Sequence, residues 1–363
     1  MKIKKIAVNT GGGDAPGLNA AIRAVTLAGM RRGWDVMGIS HGYGTFTDPM
    51  VRSLIPLDRD RVRGITLLGG TILGTANRGN PFEIPIQQED GSITLEDRSD
   101  MVVDGFRKAG LDALIAMGGD GSMNIAHRLI QKGIPIVGVP KTIDNDLPGT
   151  DATLGFDTAV NIATEAIDRI STTAEAHERI MVVEVMGRYA GWIALHAGLS
   201  ATADIILMPE IPFDFSSMVK KVEERESQGR HFTIVVVAEG ATEKEGTVFT
   251  KGKVAGQSVQ LGGVAEYVSK TLSKLTGKES RHIVLGHLQR GGSPSTLDRL
   301  ISLRLGAAAV RAIADQDFGK IVMIQAGEIV RVPINSIAGQ MKRVPLDSDT
   351  VLTARELGIC LGD

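Results

Sequence analysis

The sequence predicts an α/β protein with two lobes, mainly parallel sheets flanked by helices, and an active site in the cleft between the lobes. Short β-branched runs alternate with longer amphipathic segments along the chain, and this order of strand and helix builds a parallel sheet. The chain has 363 residues. A single hydrophobic core usually stops growing at about 250–300 residues, so two lobes are expected. The cleft between two lobes is a common place for a ligand.

The predicted elements of the first 150 residues are βα units joined by glycine-rich loops. Strands are predicted at 5–8, 36–39, 113–117 and 134–139. Helices are predicted at 18–32, at 99–108 and from the end of a glycine loop at 118–121 to residue 132. Residues 83–99 contain polar and turn-forming side chains with little periodicity, so an exposed excursion is expected there.

A second lobe is expected to begin after Thr150. Helices are predicted at 156–172, 190–199 and 264–275 and from residue 295 to 314. Strands are predicted at 180–185, 205–208, 232–238 and 282–285. Residues 241–256 are charged and contain glycine, which predicts a surface loop or hairpin.

The composition excludes several classes of protein. Hydrophobic residues make up 43% of the chain and aromatic residues 4%, with 44 glycines, which is typical of a compact, loop-rich enzyme. The net charge of −2 provides no general attraction to nucleic acid or membrane. The single cysteine, Cys360, excludes an internal disulfide framework, and no segment approaches the roughly 20 apolar residues of a membrane span. A cytoplasmic location without nucleic-acid or membrane partners is therefore expected.

The most informative stretch is residues 139–151, which read Val-Pro-Lys-Thr-Ile-Asp-Asn-Asp-Leu-Pro-Gly-Thr-Asp. Pro140 ends a β-branched run, so this loop is expected to leave the C-terminal end of a strand, where ligands bind in open α/β sheets. In an extended segment Asp144 and Asp146 would point to the same side, so that one carboxylate acts as a base or metal ligand while the other positions a substrate. Taken alone, the stretch is more typical of a solvated turn that caps the next helix.

Two glycine-rich loops between strand and helix are typical of phosphate sites. In the first, at 11–17, backbone amides and the helix dipole would attract phosphate. This loop matches neither a dinucleotide fingerprint nor a Walker motif, and alone it is also compatible with a tight structural turn. The second loop, at 118–122, places Asp120 among glycines, which suits a Mg²⁺ ion held beside phosphate oxygens.

Charged residues at the ends of predicted second-lobe strands form a third group: Arg179, Arg188, Glu239, Arg281, His287 and Arg290. Arginine binds phosphate through two parallel hydrogen bonds, although a surface arginine is often only solvated. The imidazole of His287 is also compatible with a structural role. Glu239 is an acceptor of the kind that sugar hydroxyls need. Together these features indicate phosphoryl transfer, where positioning and charge neutralisation carry most of the catalysis. The features are the two glycine loops, a carboxylate placed to bind a metal ion, the acidic loop and several arginines.

The sequence resembles the 6-phosphofructokinase family from Ile6 to about Ala309. Five motifs in the family's order carry the resemblance: Gly-Gly-Asp-Ala-Pro-Gly-Leu-Asn at 12–19, Gly-Gly-Asp-Gly-Ser at 118–122, Pro-Lys-Thr-Ile-Asp-Asn-Asp at 140–146, Met-Gly-Arg at 186–188 and Gly-His-Leu-Gln-Arg-Gly-Gly at 286–292. The resemblance implies a Mg²⁺-dependent kinase that transfers the γ-phosphoryl group of ATP to O1 of fructose 6-phosphate. The product would be fructose 1,6-bisphosphate, a step of glycolysis.

The resemblance also implies which residues carry the chemistry. Asp144 would take the proton from the sugar 1-hydroxyl, with Thr142 and Asp146 beside it. Gly12 would offer its backbone N–H to the transferred phosphoryl group, and Arg188 would stabilise charge there. The implied division of the chain assigns residues 1–150 and about 288–312 to a phosphoryl-donor lobe, and residues 151–287 and about 313–363 to a sugar-phosphate lobe.

The implied sugar-phosphate site comprises Thr142, Asp144, Asp146, Arg179, Met186, Gly187, Arg188, Glu239, Arg281, His287 and Arg290. Arg179 and Arg281 resemble the arginines that family members extend across a subunit interface to the sugar 6-phosphate. This implies a homo-oligomer, a dimer or a tetramer, with shared active sites.

The implied donor site comprises Gly12, Asn77, Arg78, Gly119, Asp120, Gly121, Ser122 and Lys141, with Asp120 as the Mg²⁺ ligand. Where family members commonly have an arginine, this chain has Asn77, and Arg78 follows one position later. Gly121 leaves room for the α-phosphate of ATP and favours ATP as the donor, whereas Lys141 is typical of pyrophosphate users. Because exclusion of the α-phosphate is the stronger physical effect, ATP is predicted. The alternatives are a pyrophosphate-dependent fructose 6-phosphate 1-phosphotransferase, another kinase with a similar glycine loop, and a non-catalytic sugar-phosphate-binding subunit.

Overall fold

The computed structural model describes residues 2–48, 54–75, 79–246, 248–252 and 260–363. The strands are β1 Lys5–Thr10, β2 Asp35–Ile39, β3 Leu54–Leu57, β4 Ile84–Gln87, β5 Ile93–Glu96, β6 Ala113–Gly118, β7 Ile136–Pro140, β8 Ile180–Val185, β9 Ile205–Leu207, β10 Thr233–Ala238, β11 Thr250–Gly252, β12 Gln260–Leu261, β13 Ser280–Val284, β14 Lys320–Gln325 and β15 Glu328–Pro333. The α-helices are α1 Leu18–Met30, α2 Gly44–Thr47, α3 Ser99–Lys108, α4 Asp120–Gln131, α5 Phe156–Ala176, α6 Trp192–Ser200, α7 Phe215–Ser227, α8 Val264–Thr276, α9 Thr296–Ala314 and α10 Asp349–Glu356. Short 3₁₀ helices lie at Ile65–Leu67, Gly286–Arg290 and Ile334–Ser336.

The larger sheet has the strand order β15-β14-β7-β6-β1-β2-β3. Strands β14, β7, β6, β1 and β2 pair in parallel, and the outer strands β15 and β3 pair antiparallel with their neighbours. β6 and β7 are buried along their whole length because helices cover both faces of the sheet. Helices α1 and α9 contribute to one core, and α3 and α4 to the other.

The smaller sheet has the order β13-β8-β10-β9, and all of its pairs are parallel. Its strands β8 and β10 are rich in valine and isoleucine, as expected of a parallel sheet that is buried on both faces. Helices α5 and α6 contribute to the core on one face, and α7 and α8 to the core on the other. The predicted fold class, α/β with mainly parallel sheets flanked by helices, is confirmed.

The segment after about residue 313 packs with both sheets. Residues after about 313 were expected in the sugar-phosphate lobe, but β14 pairs in parallel with β7 and so extends the larger sheet. β15 then pairs with β14. Further along, Val351 and Ala354 of α10 pack in the core beneath the smaller sheet. The chain therefore crosses from the first lobe to the second after β15.

Two other segments can be compared with the sequence prediction. The exposed excursion at 83–99 is confirmed and contains a hairpin, β4 with β5. Helix α7 was not predicted, although its apolar residues recur at helical spacing and the Asp214 carboxylate caps it by accepting the Ser216 N–H at 2.8 Å. In the part of the chain that the structure describes, no helix is long and apolar enough to cross a membrane.

Candidate active site

Three loops meet at the C-terminal edge of the larger sheet, after β1, β6 and β7. Gly11 donates its N–H to the carbonyl oxygen of Met117 at 2.9 Å, and Lys141 donates its N–H to that of Gly118 at 3.0 Å. These two bonds join the first glycine loop, the second glycine loop and the acidic loop. They arise because the carboxyl ends of neighbouring parallel strands lie at the same edge.

The glycines let the first two loops approach each other closely. Gly12 has φ of 73°, a left-handed conformation that side chains rarely adopt. A Cβ atom on Gly11 would lie 2.6 Å from the Ser122 hydroxyl oxygen, so a side chain there would push the loops apart. The backbone of the first loop is therefore free to face a phosphate group.

Lys141 lies buried beneath the first glycine loop. Its ammonium group donates a hydrogen bond to the carbonyl oxygen of Gly13. Burial lowers the pKa of Lys141 to about 8, with the charge of Arg290 acting in the same direction, while Asp144 and Asp14 oppose the shift. The site thus holds a cation next to the loop that is expected to receive the phosphate.

Asp144 and Asp146 are the two acids of the third loop. One carboxylate oxygen of each, Oδ1, is buried and has no hydrogen-bond partner among the described residues. Burial raises the pKa of Asp144, and cationic Arg290, Arg188 and Lys141 counteract this rise. The pKa of Asp146 rises to about 6, first through burial and then through the charge of Asp144. Buried acceptors without partners indicate that a ligand supplies the donors.

The acidic loop was expected to be extended, but it contains a turn. Asn145 has φ of 52°, so a left-handed turn separates Asp144 from Asp146. Thr153 stabilises this turn by donating its hydroxyl to the carbonyl oxygen of Thr142 at 2.6 Å, and the N–H of Asp144 donates to the Thr142 hydroxyl at 3.1 Å. The two acids therefore converge through a turn and not through strand alternation.

The second-lobe residues that are expected to bind the sugar phosphate begin at the ends of β8 and β10, which pair in parallel. Arg188 donates its N–H to Glu239 Oε1 at 3.1 Å. Burial raises the pKa of Glu239, and this hydrogen bond acts against the rise. Gly240 is required here because a Cβ atom would overlap the carbonyl oxygen of Arg188. Met186 and Gly187 directly precede Arg188 in the same loop.

The 3₁₀ helix Gly286–Arg290 follows β13 and carries His287 and Arg290. His287 is exposed, whereas Arg290 is half-buried. The Arg290 guanidinium donates to the carbonyl oxygen of Asp14 at 3.0 Å, across the cleft to the first glycine loop. This contact brings the loop after β13 and the first glycine loop together.

Asp120 is the first residue of α4, and its Oδ1 accepts the N–H of Gly339 at 2.7 Å. No group of three or more potential metal ligands occurs among the described residues. Mg²⁺ commonly binds through one or two carboxylates plus phosphate oxygens, so a single acid beside a glycine loop fits this ion. Gly121 has open space around the position of a Cβ atom, and Gly119 lies against the backbone of Lys141.

Two expected site residues do not join the others within one chain. Arg179 and Arg281 both bind the carboxylate of Glu279, at 2.8 Å and 2.6 Å. They lie at the N-terminal ends of β8 and β13, whereas Arg188 and His287 follow the C-terminal ends. The length of such strands separates the two groups by about 15–20 Å. The expected donor residues 77 and 78, Asn77 and Arg78, lie outside the described residues.

Sequence reasoning missed two residues that adjoin the site. Lys342 donates its backbone N–H to the carbonyl oxygen of Asp146 at 2.7 Å. Asp298 is fully buried and accepts the N–H groups of Gly155 and Thr158, which begin α5 just after the acidic loop. Lys342 lies in no recognisable motif, so the sequence offered no signal for it. Asp298 lies eight positions after Arg290, and its closeness to the last motif could have indicated it.

Comparison with known proteins identifies the family to which these loops belong. A family model described as Phosphofructokinase matches residues 5–313. ATP-dependent 6-phosphofructokinase 2 of Clostridium perfringens is 47% identical over 367 residues, covering 99% of this chain and 99% of the relative. Pyrophosphate–fructose 6-phosphate 1-phosphotransferase of Amycolatopsis methanolica is 48% identical over 344 residues, covering 94% of this chain and 96% of the relative.

A solved structure has the same fold. The crystal structure of Pichia pastoris phosphofructokinase in the T-state superposes with a TM-score of 0.77 and 32% sequence identity, covering 99% of this chain and 37% of that chain. The family model spans both glycine loops, the acidic loop and the loops that carry Arg188 and Arg290. With these loops gathered around Asp144 and Asp146, the chain belongs to the phosphofructokinase family.

Proposed function

We infer that the chain is an ATP-dependent 6-phosphofructokinase, which transfers the γ-phosphoryl group of ATP to O1 of fructose 6-phosphate. The observation that carries this inference is the buried Asp144 carboxylate, which has an oxygen without a partner among the described residues. Its pKa depends on Lys141 from the donor side and on Arg188 and Arg290 from the sugar side. Both observations support a role for Asp144 between the sugar hydroxyl and the phosphoryl donor.

In this proposal Asp144 is the general base. The unpartnered carboxylate oxygen would first accept a hydrogen bond from the sugar 1-hydroxyl. It would then take the proton of that hydroxyl as the sugar oxygen attacks phosphorus. Because burial raises the pKa of Asp144 toward the working pH, the carboxylate is a stronger base than an exposed aspartate. Thr142 would hold Asp144 through the 3.1 Å hydrogen bond from the Asp144 N–H to its hydroxyl.

The donor side would consist of the two glycine loops and Lys141. The N–H of Gly12 and the Lys141 ammonium would bind phosphoryl oxygens, and the residues from Gly119 to Ser122 would line the site at the start of α4. Asp120 would hold Mg²⁺, which supplies charge neutralisation to the transferred group when bound. Asn77 and Arg78 are further proposed donor-site residues.

The sugar side would consist of Arg188, Glu239, His287, Arg290 and the backbone of residues 186 and 187. We further propose that Arg179 and Arg281 serve the active site of a neighbouring subunit. Their convergence on Glu279, at the far end of β8 and β13, supports this because they cannot reach the Asp144 site of their own chain. The enzyme would then be a homo-oligomer with shared active sites.

We propose that residues 1–150 form the donor lobe together with about 288–312 and with the strands β14 and β15. The remainder would form the sugar-phosphate lobe. A second candidate donor is pyrophosphate, which Lys141 and the relative from Amycolatopsis methanolica favour. The open space around Gly121 favours ATP, because an acidic side chain there would oppose the α-phosphate.

The deciding experiment measures kcat/KM with fructose 6-phosphate as acceptor and either ATP or pyrophosphate as donor, in the presence of Mg²⁺. A higher value for ATP is expected. A higher value for pyrophosphate would select the second candidate, and no turnover with either donor would overturn both.

A further inference from the structure

Residues 338–344, the strap, cross between the lobes next to the acidic loop. The strap follows the 3₁₀ helix Ile334–Ser336, which lies after the last strand of the larger sheet. It leads to α10, and its residue Val344 is buried in the core beneath the smaller sheet. The strap is therefore fixed to the first lobe at one end and to the second lobe at the other.

Backbone hydrogen bonds attach the strap to both sides of the cleft. Gly339 donates its N–H to Asp120 Oδ1 at 2.7 Å, and Lys342 donates its N–H to the carbonyl oxygen of Asp146 at 2.7 Å. Val344 donates its N–H to Glu210 Oε1 at 2.9 Å. The strap thus contacts the donor-side acid, the acidic loop and the second lobe in succession.

Lys342 makes the central contacts of the strap. Its ammonium group donates to the carbonyl oxygen of Thr150 at 2.8 Å, beyond the turn that holds Asp144. The same ammonium lies 5.1 Å from the centre of the Trp192 ring, within the range of a cation–π interaction. Trp192 in turn donates its indole N–H to the carbonyl oxygen of Lys342 at 2.9 Å.

These contacts connect two parts of the site that share no element. Trp192 begins α6, directly after the loop that carries Arg188, and Glu210 binds both Gly191 and the strap. Thr150 closes the acidic loop and is itself fixed to β14 through its hydroxyl, which donates to the carbonyl oxygen of Ile324 at 3.3 Å. Lys342 therefore bridges the acidic loop of one lobe and the first turn of α6 in the other.

The chemistry of the contact calls for a cation. Asp151 and Asp146 both act to keep the Lys342 ammonium charged, although burial lowers the pKa of Lys342 to about 8. An apolar side chain of the same length would keep the packing against Trp192 but would lose the hydrogen bond to Thr150. The ammonium is thus the part of Lys342 that holds the acidic loop.

We propose that Lys342 is a positioning residue for phosphoryl transfer, and this rests on the proposed function. Its ammonium holds the end of the acidic loop against α6, so that Asp144 and Asp146 keep their orientation when fructose 6-phosphate occupies the second lobe. The strap also carries the Gly339 N–H that orients the Asp120 carboxylate. Lys342 itself contacts neither substrate.

The kinetic test compares Lys342→Met, which keeps the length of the side chain, with Lys342→Arg, which keeps a cation. Lys108→Met, an exposed change on α3, is the matched control. Lys342→Met is expected to lower kcat about 10–100-fold, because small misplacements of reacting groups cost rates of this order. The KM for fructose 6-phosphate should change less than about threefold, because no sugar contact is lost. Lys342→Arg should recover most of kcat.

An unchanged kcat in Lys342→Met would overturn the proposal. The proposal would also be overturned if both variants lost kcat equally and both had a lowered melting temperature. The role of Lys342 would then be structural only.

The second test measures backbone hydrogen exchange in the absence of substrates. Lys342→Met should raise exchange in peptides that cover residues 140–151, and leave peptides from β6 and from α8 as in the wild type. Equal exchange at 140–151 in both proteins would overturn the proposal. This measurement needs no turnover, so it decides the role of Lys342 in the loop whether or not the enzyme is active. Failure of the wild type to phosphorylate fructose 6-phosphate would refute the proposed function and not this result.

Discussion

The Arg290 guanidinium donates a hydrogen bond to the carbonyl oxygen of Asp14 at 3.0 Å, joining residues 276 positions apart. Arg290 belongs to the loop after β13 in the smaller sheet, and Asp14 to the glycine loop after β1 in the larger one. A Cβ atom on Gly13 would lie 3.0 Å from the same guanidinium, so a side chain there would crowd the arginine. The contact closes the cleft at the point where the substrates are expected to react.

Arg290→Ala should mainly raise the KM for fructose 6-phosphate. The change removes a cation expected to bind the sugar phosphate, and hydrogen bonds to charged groups contribute about 1.5–3 kcal/mol, or roughly 10–150-fold in affinity. Steady-state kinetics with varied sugar phosphate would measure the effect, with the exposed Arg311→Ala on α9 as the control. An unchanged KM would remove Arg290 from the sugar site.

Asp144→Ser should lower kcat by about 10²–10⁴-fold, the usual contribution of a general base. Sugar affinity should stay closer to that of the wild type, because Arg188 and Arg290 would still donate hydrogen bonds to the sugar phosphate and Glu239 would still accept one from a sugar hydroxyl. Single-turnover rates and equilibrium binding of fructose 6-phosphate would separate the two effects. A variant with nearly normal kcat would contradict the assignment of Asp144 as the base.

Gly121→Asp should weaken the use of ATP far more than any use of pyrophosphate. A Cβ atom at Gly121 meets nothing within 4 Å, so the protein should fold normally and only the donor should sense the new carboxylate. The measurement is kcat/KM for each donor, with Gly121→Ala as a control for size without charge. Equal losses with both donors would show that position 121 does not discriminate between them.

The pH profile of kcat/KM should be bell-shaped, with an alkaline limb near pH 8. Burial lowers the pKa of Lys141 to about 8, so its cation is present below that pH and is lost as the pH rises through it. On the acid side, activity should fall as the pH drops through the raised pKa of Asp144, because the base must be deprotonated.

Lys141→Arg tests the alkaline limb, because arginine stays charged throughout this range. The limb should move to higher pH in this variant. Lys342 also has a pKa lowered to about 8 and is proposed to hold the acidic loop through its cation, so Lys342→Arg serves as the comparison and should move the limb less than Lys141→Arg does. If the limb moved with Lys342→Arg and stayed with Lys141→Arg, the assignment to Lys141 would be wrong.

Asp298→Ala should destabilise the protein by about 2–6 kcal/mol. The carboxylate is fully buried, and it accepts the N–H of Gly155 at 2.9 Å and that of Thr158 at 2.8 Å. Removing it leaves both donors buried without a partner, and each such group costs about 1–3 kcal/mol. Urea unfolding monitored by circular dichroism would measure the loss. Asp298→Asn keeps one acceptor oxygen and should lose less; equal losses would contradict this explanation.

Much of the candidate site could be predicted from the sequence because its loops are local features. The glycines at 11–13 and 118–121, the acid Asp120 and the acidic loop each follow a recognisable strand. In a parallel sheet the loops that follow neighbouring strands meet at one edge, so the sequence pattern alone indicates that they share a site.

The conformation within the acidic loop was not predictable in the same way. Asp144 and Asp146 were expected to converge through the alternation of an extended segment, but Asn145 is in the left-handed region with φ of 52°. Asparagine and aspartate adopt this conformation readily, yet nothing in the sequence forces it. The hydroxyl of Thr153, which donates to Thr142 from outside the motif, stabilises the turn.

The sequence by itself determined the fold class, the family and the identity of the acids and cations, because these depend on residue types at short spacing. Only the tertiary structure decided that β14 joins the larger sheet, that Arg290 reaches Asp14 and that Lys342 lies against the acidic loop. Each of these contacts joins segments more than 100 residues apart. Such contacts form when distant parts of the chain fold and pack together. A local pattern of residues does not specify which distant segment will pack against it.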